Sequence, residues 1–173
     1  MSDTPSRTDL APADLDGGAH FPRKFLVVVD ATPECKVALR FATRRAQHTG
    51  GRVSLICVAQ LGDFQQWRGV EEIMREEAHE AAESAIHNAA KFVNDLSGLI
   101  PELVIEHGDA AECVMKLIQS DKNISILVLA AGTSKEGPGP LVERVAGPEA
   151  GAYPIPVTIV PGKLSEEEID ALA

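Results

Sequence analysis

The segment GTSKEGPGP, residues 132–140, has the residue types of a phosphate-binding loop. The candidate hydrogen-bond donors are the backbone N–H groups of Thr133, Ser134, Lys135 and Gly137. Successive N–H groups of this kind can form a concave anion site, and the Lys135 ammonium adds a positive charge. Pro138 and Pro140 lack an N–H group and stiffen the segment. A surface turn is the alternative interpretation, because clusters of Gly and Pro mark loops in general.

The glycine spacing departs from the known phosphate motifs. Gly132 and Gly137 have the four-residue gap of a P-loop, but Pro and Gly follow where Lys and Ser or Thr are required. A dinucleotide-binding fingerprint would need its third glycine at Val142. The loop therefore predicts at most an unusual phosphate site.

The composition excludes several classes of function. A chain of 173 residues is long enough for one domain, and its net charge of -10 argues against nucleic acid as a partner. Three cysteines without a CxxC pair favour reduced thiols over disulfides or zinc. The N-terminus has no secretory signal pattern and no apolar run approaches the ~20 residues of a membrane span, so we expect a cytoplasmic protein.

Cysteine and histidine are two further residue types in this sequence that could do chemistry. Cys35 is predicted at the third position of the first helix, where the helix dipole would lower its pKa, although burial in the core explains it equally well. His79 and His87 lie eight residues apart without a nearby third ligand, which favours surface histidines over a metal site. His107, at the end of a predicted strand, is interpreted as a capping or packing residue.

The pattern along the chain predicts three parts. Residues 1–23 are polar and rich in Asp, Pro and Gly, which predicts a disordered tail. Residues 24–162 form the folded domain. Residues 163–173 begin with a capping box at Ser165 and Glu168 and are predicted to be a short acidic helix or tail. This last segment has three possible dispositions: docked on its own domain, docked on a second subunit, or free.

Apolar runs alternate with helical patterns through the domain. The five predicted strands are KFLVVVD, RVSLICVAQ, PELVIEH, NISILVLAA and IPVTIVPG. The predicted helices run from Thr32 to about Thr49, from about Phe64 to Leu96, onward from an N-cap at Asp109, and from Leu141 to Ala146. This alternation predicts a Rossmann-like α/β fold: a five-stranded, mostly parallel sheet with helices on both faces. Ligands of such folds bind at the carboxyl ends of the strands, where Asp30, Val58 and Gly132 are expected to meet.

The order of these elements resembles the universal stress protein family. The resemblance rests on FLVVVDATPECKVALRFATRRA, EHGDAAECVMKLI, and ILVLAAG followed by YPIPVTIVP, and it covers about Lys24 to Pro161. It implies a fold of the adenine nucleotide alpha-hydrolase type, homodimers that pair through the last strand, and ATP binding in some members.

The resemblance also implies a nucleotide site. In ATP-binding members the Asp after the first strand contacts the base or ribose, a backbone group after the second strand contacts adenine, and the loop after the fourth strand holds phosphates. The matching positions here are Asp30 and Val58. The predicted cofactor site also includes Ala31 next to Asp30, and Gly132, Thr133, Lys135 and Gly137 of the loop after the fourth strand. The phosphate loop departs from that pattern, because Glu143 stands where a glycine is expected and Pro148 follows Gly147. Asp30 has the alternative role of capping the next helix beside Thr32, and Val58 that of a core residue.

Three functions follow as hypotheses. The first is a non-enzymatic stress-response protein that holds ATP or another adenine nucleotide as a regulatory ligand and acts through an unknown protein partner. It would form a homodimer through the last strand, with Val157, Thr158, Ile159 and Val160 at the interface. The second is a slow ATPase or adenylating transferase, for which the sequence offers Ser134, Lys135 and His107 without a paired base. The third is a redox or sensing domain that uses Cys35 or Cys57.

Overall fold

The computed structural model describes residues 22–60 and 68–173. Most of the predicted N-terminal tail, and residues 64–67 of the predicted long helix, lie outside the described residues. The strands are β1 (Lys24–Val29), β2 (Arg52–Ala59), β3 (Glu102–His107), β4 (Ile124–Ala131) and β5 (Val157–Pro161). The helices are α1 (Cys35–Thr49), α2 (Arg68–Ser97), α3 (Ala110–Ser120), α4 (Pro140–Ala146) and α5 (Glu166–Leu172), with a 3-10 turn at Ala150–Ala152.

The five strands form one sheet in the order β3-β2-β1-β4-β5. All four pairings are parallel, which confirms the predicted five-stranded α/β fold. Strands β2 and β3 follow one another on one side of β1, and β4 and β5 follow one another on its other side. The strand order therefore reverses between β1 and β4, and the connections that follow these two strands leave to opposite faces of the sheet, with a crevice between them.

Two apolar cores lie on opposite faces of the sheet. One joins α1 and α2 to the sheet and includes Phe25, Val27 and Ile86. The other joins α3 and α4 to the sheet and includes Leu26 and Ile56. Because adjacent residues of β1 point to opposite faces, its continuous apolar sequence supplies both cores, as expected for a strand buried on both sides.

The start of α1 differs from the prediction. The helix begins at Cys35 with Glu34 at the N-cap position, and no side chain caps it. Thr32 instead belongs to a turn in which Asp30 Oδ1 accepts hydrogen bonds from the Thr32 N–H (2.9 Å) and hydroxyl (2.5 Å). The carboxylate of Asp30 thus satisfies a donor two residues ahead, which delays the helix by about one turn.

The face that α2 buries was predicted in part. The helical spacing predicts a buried face of Met74, Ala78, Ala81, Ala85, Ala89, Phe92 and Leu96. Ala89 is buried, and Ala78, Ala85 and Phe92 pack against the core, but Ala81 is exposed and Ala82, Ile86 and Val93 are buried instead. The alanine-rich sequence offers two adjacent apolar faces, and the large side chains of Ile86 and Val93 decide between them because they bury more apolar area than alanine does.

Lys24 at the start of β1 is a buried cation that the sequence analysis did not single out. Its ammonium lies 2.7 Å from Glu102 Oε2 and 2.6 Å from Asp121 Oδ2, and its side chain is 6% exposed. Burial by itself lowers the pKa of Lys24, but the hydrogen bonds to Asp121 and Glu102 outweigh burial and the pKa is raised. These pairs join β1 to β3 and to the turn before β4, at the amino ends of the strands.

We expect Lys24→Ala to lower the free energy of unfolding by about 2 kcal/mol. Loss of one partner from a fully buried pair costs more, but Glu102 and Asp121 are partly exposed and can be solvated. Urea unfolding measures the change, with the exposed Lys122→Ala as a control expected to lie within about 0.5 kcal/mol of wild type. Equal stabilities of the two variants would show that the Lys24 pairs contribute nothing.

Helix α5 is docked on α1 of its own domain, which is one of the three dispositions left open by the sequence. Its predicted capping box is present, since the Ser165 hydroxyl accepts from Glu168 N and the Glu168 carboxylate accepts from Ser165 N. Ile169 is buried. Asp170 accepts two hydrogen bonds from Arg40, at 2.7 and 2.8 Å, and one from Arg44 at 3.1 Å.

This docking is expected to weaken in acid. The hydrogen bonds from Arg40, followed by those from Arg44, lower the pKa of Asp170 from 3.8 to about 2. Because the pKa is lower in the folded state, the stabilisation is complete above pH 3.8 and is lost as the pH falls towards 2. The protection factors of the α5 amides, which correct for the intrinsic exchange rate at each pH, should fall over that range, and those of Asp170→Asn should be low at every pH. Asp95→Asn on the exposed face of α2 is the control, and equal α5 exchange in the two variants would contradict this account.

Candidate functional site

A cavity of about 220 Å³ opens at the carboxyl edge of the sheet, where the strand order reverses. Its walls come from the ends of three strands, the first turn of α3, and the segment that leads into α4. The lining residues from the strand side are Val28, Val29, Asp30, Cys35, Val58, Gln60, Leu129 and Ala130. Those from the helix side are Asp109, Ala110, Ala111, Pro138, Gly139, Pro140, Leu141, Val142 and Arg144. The cavity is thus mostly apolar with a few polar groups, as is usual for small-molecule sites.

Two of the predicted site residues line this cavity. Asp30 follows β1, and with Oδ1 engaged by Thr32 its second carboxylate oxygen has no partner among the hydrogen bonds of the described residues. Val58 is half-buried on β2 and contributes an apolar wall. The other predicted positions, Ala31, Gly132, Thr133, Lys135 and Gly137, do not line the cavity.

The loop after β4 folds back on itself. The Gly132 N–H donates to the Pro138 carbonyl at 3.0 Å, which brings Pro138 and Gly139 over the cavity in place of the predicted glycines. Gly137 and Gly139 make this reversal with φ angles of 104° and 101°, which side chains other than hydrogen rarely allow. The loop therefore contributes a proline-rich wall to the cavity.

Two of the four N–H groups of the predicted anion nest are occupied by the chain itself. Thr133 donates its N–H (3.0 Å) and its hydroxyl (2.6 Å) to Oε1 of Glu34, 99 residues away in sequence. These hydrogen bonds lower the pKa of Glu34, so its carboxylate is the bound anion. The Gly137 N–H donates to the Ser134 carbonyl at 3.4 Å. The expectation that Thr133 and Gly137 present free N–H groups to a phosphate is therefore wrong.

Arg144 is a cavity residue that the sequence analysis did not single out. It extends from α4 and donates to Asp109 Oδ1 at 2.9 Å, with Glu149 3.5 Å away. Asp109 is the N-cap of α3, as predicted, and accepts from Glu112 N at 3.0 Å. The Glu112 N–H, together with the nearby Arg144 guanidinium, lowers the pKa of Asp109. A basic side chain on the short helix after the predicted loop was the signal that could have indicated this residue.

Cys35 is buried, and its pKa is raised rather than lowered as expected. The thiol is 5% exposed, and burial raises its pKa to about 11. Burial also raises the pKa of Cys57, which belongs to the same core. Both thiols are free, as is Cys113. A redox or sensing role for Cys35 or Cys57 therefore has no support in their surroundings, because reactive thiols require a lowered pKa.

The histidines take part in packing. His79 of α2 is half-buried and stacks on His107 at the end of β3, with ring centroids 5.2 Å apart. His79 is thus less exposed than predicted, whereas His87 is exposed.

Nowhere in residues 22–60 and 68–173 do three or more His, Cys, Asp or Glu side chains gather as a metal site would require. In the same part of the chain, none of the helices combines the length and apolar character needed to cross a membrane.

A parallel sheet with helices on both faces, and a cavity where its strand order reverses, defines the doubly wound class of α/β folds. Within that class, residues 22–161 match the sequence model of the universal stress protein family, and the chain belongs to that family. No curated protein matches the whole sequence at a significant level.

Solved structures show the same fold at low sequence identity. The universal stress protein UspA from Lactobacillus plantarum is 17% identical with a TM-score of 0.69, covering 81% of this chain and 98% of that one. A universal stress protein family member from Arabidopsis thaliana with AMP bound is 15% identical with a TM-score of 0.58, covering 84% and 95%. The universal stress protein from Archaeoglobus fulgidus in complex with dAMP is 14% identical with a TM-score of 0.53, covering 81% and 98%.

Proposed function

We propose that this protein is a non-enzymatic stress-response domain that binds an adenine nucleotide in the cavity and acts as a cytoplasmic homodimer. The observation that carries the proposal is the cavity at the reversal of strand order, lined by Asp30 and Val58. Two solved structures of the same fold contain AMP and dAMP, which supports an adenine nucleotide as the ligand.

The residues that line the cavity are suited to the base, the ribose and the phosphate of an adenine nucleotide. The apolar walls, which include Val58, Ala110 and Leu129, would hold the flat base. The second carboxylate oxygen of Asp30 would accept a hydrogen bond from a ribose hydroxyl. Arg144 would exchange its contact with Asp109 for a phosphate oxygen at the mouth of the cavity, because a guanidinium binds both groups through the same paired N–H donors.

The proposed function is non-enzymatic because the candidate catalytic side chains lie apart from one another. Ser134 and Lys135 do not line the cavity, and His107 stacks on His79. A nucleophile activated by a base requires the two to be within hydrogen-bond reach. Phosphate release from Mg-ATP equal to that of a heat-treated control is the expected result; steady release that Lys135→Ala abolishes would favour the slow ATPase instead.

The homodimer is proposed to form through β5. Within the described residues β5 pairs only with β4, and Ile159 is 37% exposed along its open edge. Pro161 ends the strand, so pairing would be short and would involve Val157, Thr158, Ile159 and Val160. The opposite edge, β3, also exposes an apolar residue, Leu103 at 40%, and provides a matched control.

A non-denaturing mass spectrum of the purified protein tests both parts of the proposal. We expect a species at twice the 18.4 kDa chain mass that gains AMP when the nucleotide is added. Ile159→Asp should give a monomer, whereas Leu103→Asp should remain a dimer. A dimer that Leu103→Asp disrupts would place the interface on β3, and a protein that binds neither AMP nor ATP would leave the ligand part of the proposal without support.

A further inference from the structure

The loop after β4, whose Pro138 and Gly139 line the cavity, already binds a carboxylate of the chain itself. Glu34 Oε1 accepts both hydrogen bonds that Thr133 donates, at 3.0 and 2.6 Å. Gly162 packs directly against this contact, because a Cβ at Gly162 would lie 2.4 Å from Glu34 Cγ and 3.0 Å from Thr133 Cγ2. The junction of Glu34, Thr133 and Gly162 is therefore close-packed, and an incoming anion would have to displace Glu34.

Three of the other six backbone N–H groups in residues 132–139 are engaged as well, and those of Ser134, Lys135 and Gly139 have no partner among the described residues. The amide hydrogen bonds within the loop run from Gly132 to the Pro138 carbonyl, from Glu136 to the Ser134 hydroxyl, and from Gly137 to the Ser134 carbonyl. Pro138 has no N–H to give. A polyphosphate needs several convergent donors, so a loop with about half of its amides engaged compensates only partly for the loss of phosphate hydration.

The charges around the cavity also disfavour a long anionic chain. The lining residues include two carboxylates, Asp30 and Asp109, and one guanidinium, Arg144. Beside the loop lie Glu34 and Glu143, whose Oε1 is 3.0 Å from the position that a Cβ of Gly137 would take. Each further phosphate would meet these carboxylates at short range, where charge repulsion is only partly screened.

The size of the cavity agrees with a short ligand. Its volume of about 220 Å³ is below the ~300–1,000 Å³ of ordinary ligand pockets. A base and its ribose account for such a space, and a single phosphate at the mouth would reach Arg144, which is 42% exposed.

We infer that the cavity selects an adenine nucleoside or its monophosphate and rejects the triphosphate, with Glu34 as the residue that excludes the longer phosphate chain. The inference rests on the proposed function, since it specifies which adenine compound that site accepts. Glu34 acts as an internal anion that competes with the β and γ phosphates for the Thr133 donors. Because Thr133 does not line the cavity, a monophosphate held at Arg144 would avoid this competition.

Isothermal titration of the wild-type protein with adenosine, AMP and Mg-ATP tests the inference. We expect AMP to bind at least about tenfold more tightly than Mg-ATP. Glu34→Gln keeps an acceptor for Thr133 but removes the charge, and it should raise the affinity for Mg-ATP about tenfold while leaving that for AMP unchanged. Glu34→Ala also frees the Thr133 donors and should raise the affinity for Mg-ATP further.

Glu136→Gln is the matched control, because Glu136 is an exposed carboxylate of the same loop and its removal changes the net charge equally. It should leave both affinities as in wild type. Wild-type binding of Mg-ATP as tight as that of AMP, or an equal gain from Glu136→Gln and Glu34→Gln, would overturn the inference and leave the adenine site standing. If none of the three compounds binds to wild type, the proposed ligand and this inference both fail.

Discussion

Val58→Trp is expected to weaken AMP binding at least about 100-fold, which corresponds to about 2.7 kcal/mol. Val58 is half-buried and forms a wall of the cavity at the end of β2. An indole in place of its isopropyl group would fill much of the 220 Å³ into which the base is proposed to insert. Because the cavity is already small, a bound ligand could not shift aside to accommodate the larger side chain.

The control for this variant is Ile100→Trp, which makes the same kind of change at a residue that is 89% exposed. Isothermal titration with AMP measures both variants, and circular dichroism verifies that each is folded. Unchanged AMP affinity in a folded Val58→Trp protein would mean that the nucleotide binds elsewhere.

Gly162→Ala is expected to lower the free energy of unfolding by about 3 kcal/mol. The new Cβ would lie 2.4 Å from Glu34 Cγ and 2.5 Å from the carbonyl oxygen of Ala131. The Ala131 oxygen is backbone in the β4 strand and already accepts a hydrogen bond from the Gly162 N–H at 3.1 Å, so it cannot move without disturbing the end of the sheet. Overpacking of this kind typically costs about 1–3 kcal/mol, and the backbone contact places this site at the upper end.

Gly151→Ala provides the comparison, because a Cβ at Gly151 would meet nothing within 4 Å. We expect its stability to stay within about 0.5 kcal/mol of wild type in urea unfolding. A stable Gly162→Ala protein would show that the junction with Glu34 and Thr133 is loose, and it would weaken the argument that Glu34 blocks the loop.

Much of the fold could be predicted from sequence because its signals are local. Each apolar run, such as those of β1 and β4, and each helical repeat can be recognised within about ten residues. The alternation of strands with helices then favours a single parallel sheet. The N-cap at Asp109 and the capping box at Ser165 were also visible, since both involve residues three apart. The predicted α1 start at Thr32 was wrong because the Asp30 carboxylate accepts hydrogen bonds from the N–H and hydroxyl of Thr32 and holds that residue in a turn.

The site was predicted less completely because it depends on contacts between distant parts of the chain. Topology indicated that Asp30 and Val58 would meet at one edge, and both line the cavity. The hydrogen bonds of Glu34 with Thr133 span 99 residues, and that of Arg144 with Asp109 spans 35. No local pattern marks such pairs, so the occupied loop and the guanidinium at the cavity mouth became apparent only in three dimensions.

The central claim, that the cavity between β1, β2 and β4 is the ligand site, is tested most directly by NMR titration of the ¹⁵N-labelled protein with AMP. The account predicts saturable amide shifts concentrated at Asp30, Val58, Ala110 and Val142, and little change at Thr133. Saturable shifts confined to another surface, such as the groove lined by Met115 and Tyr153, or no shifts at millimolar AMP, would contradict it.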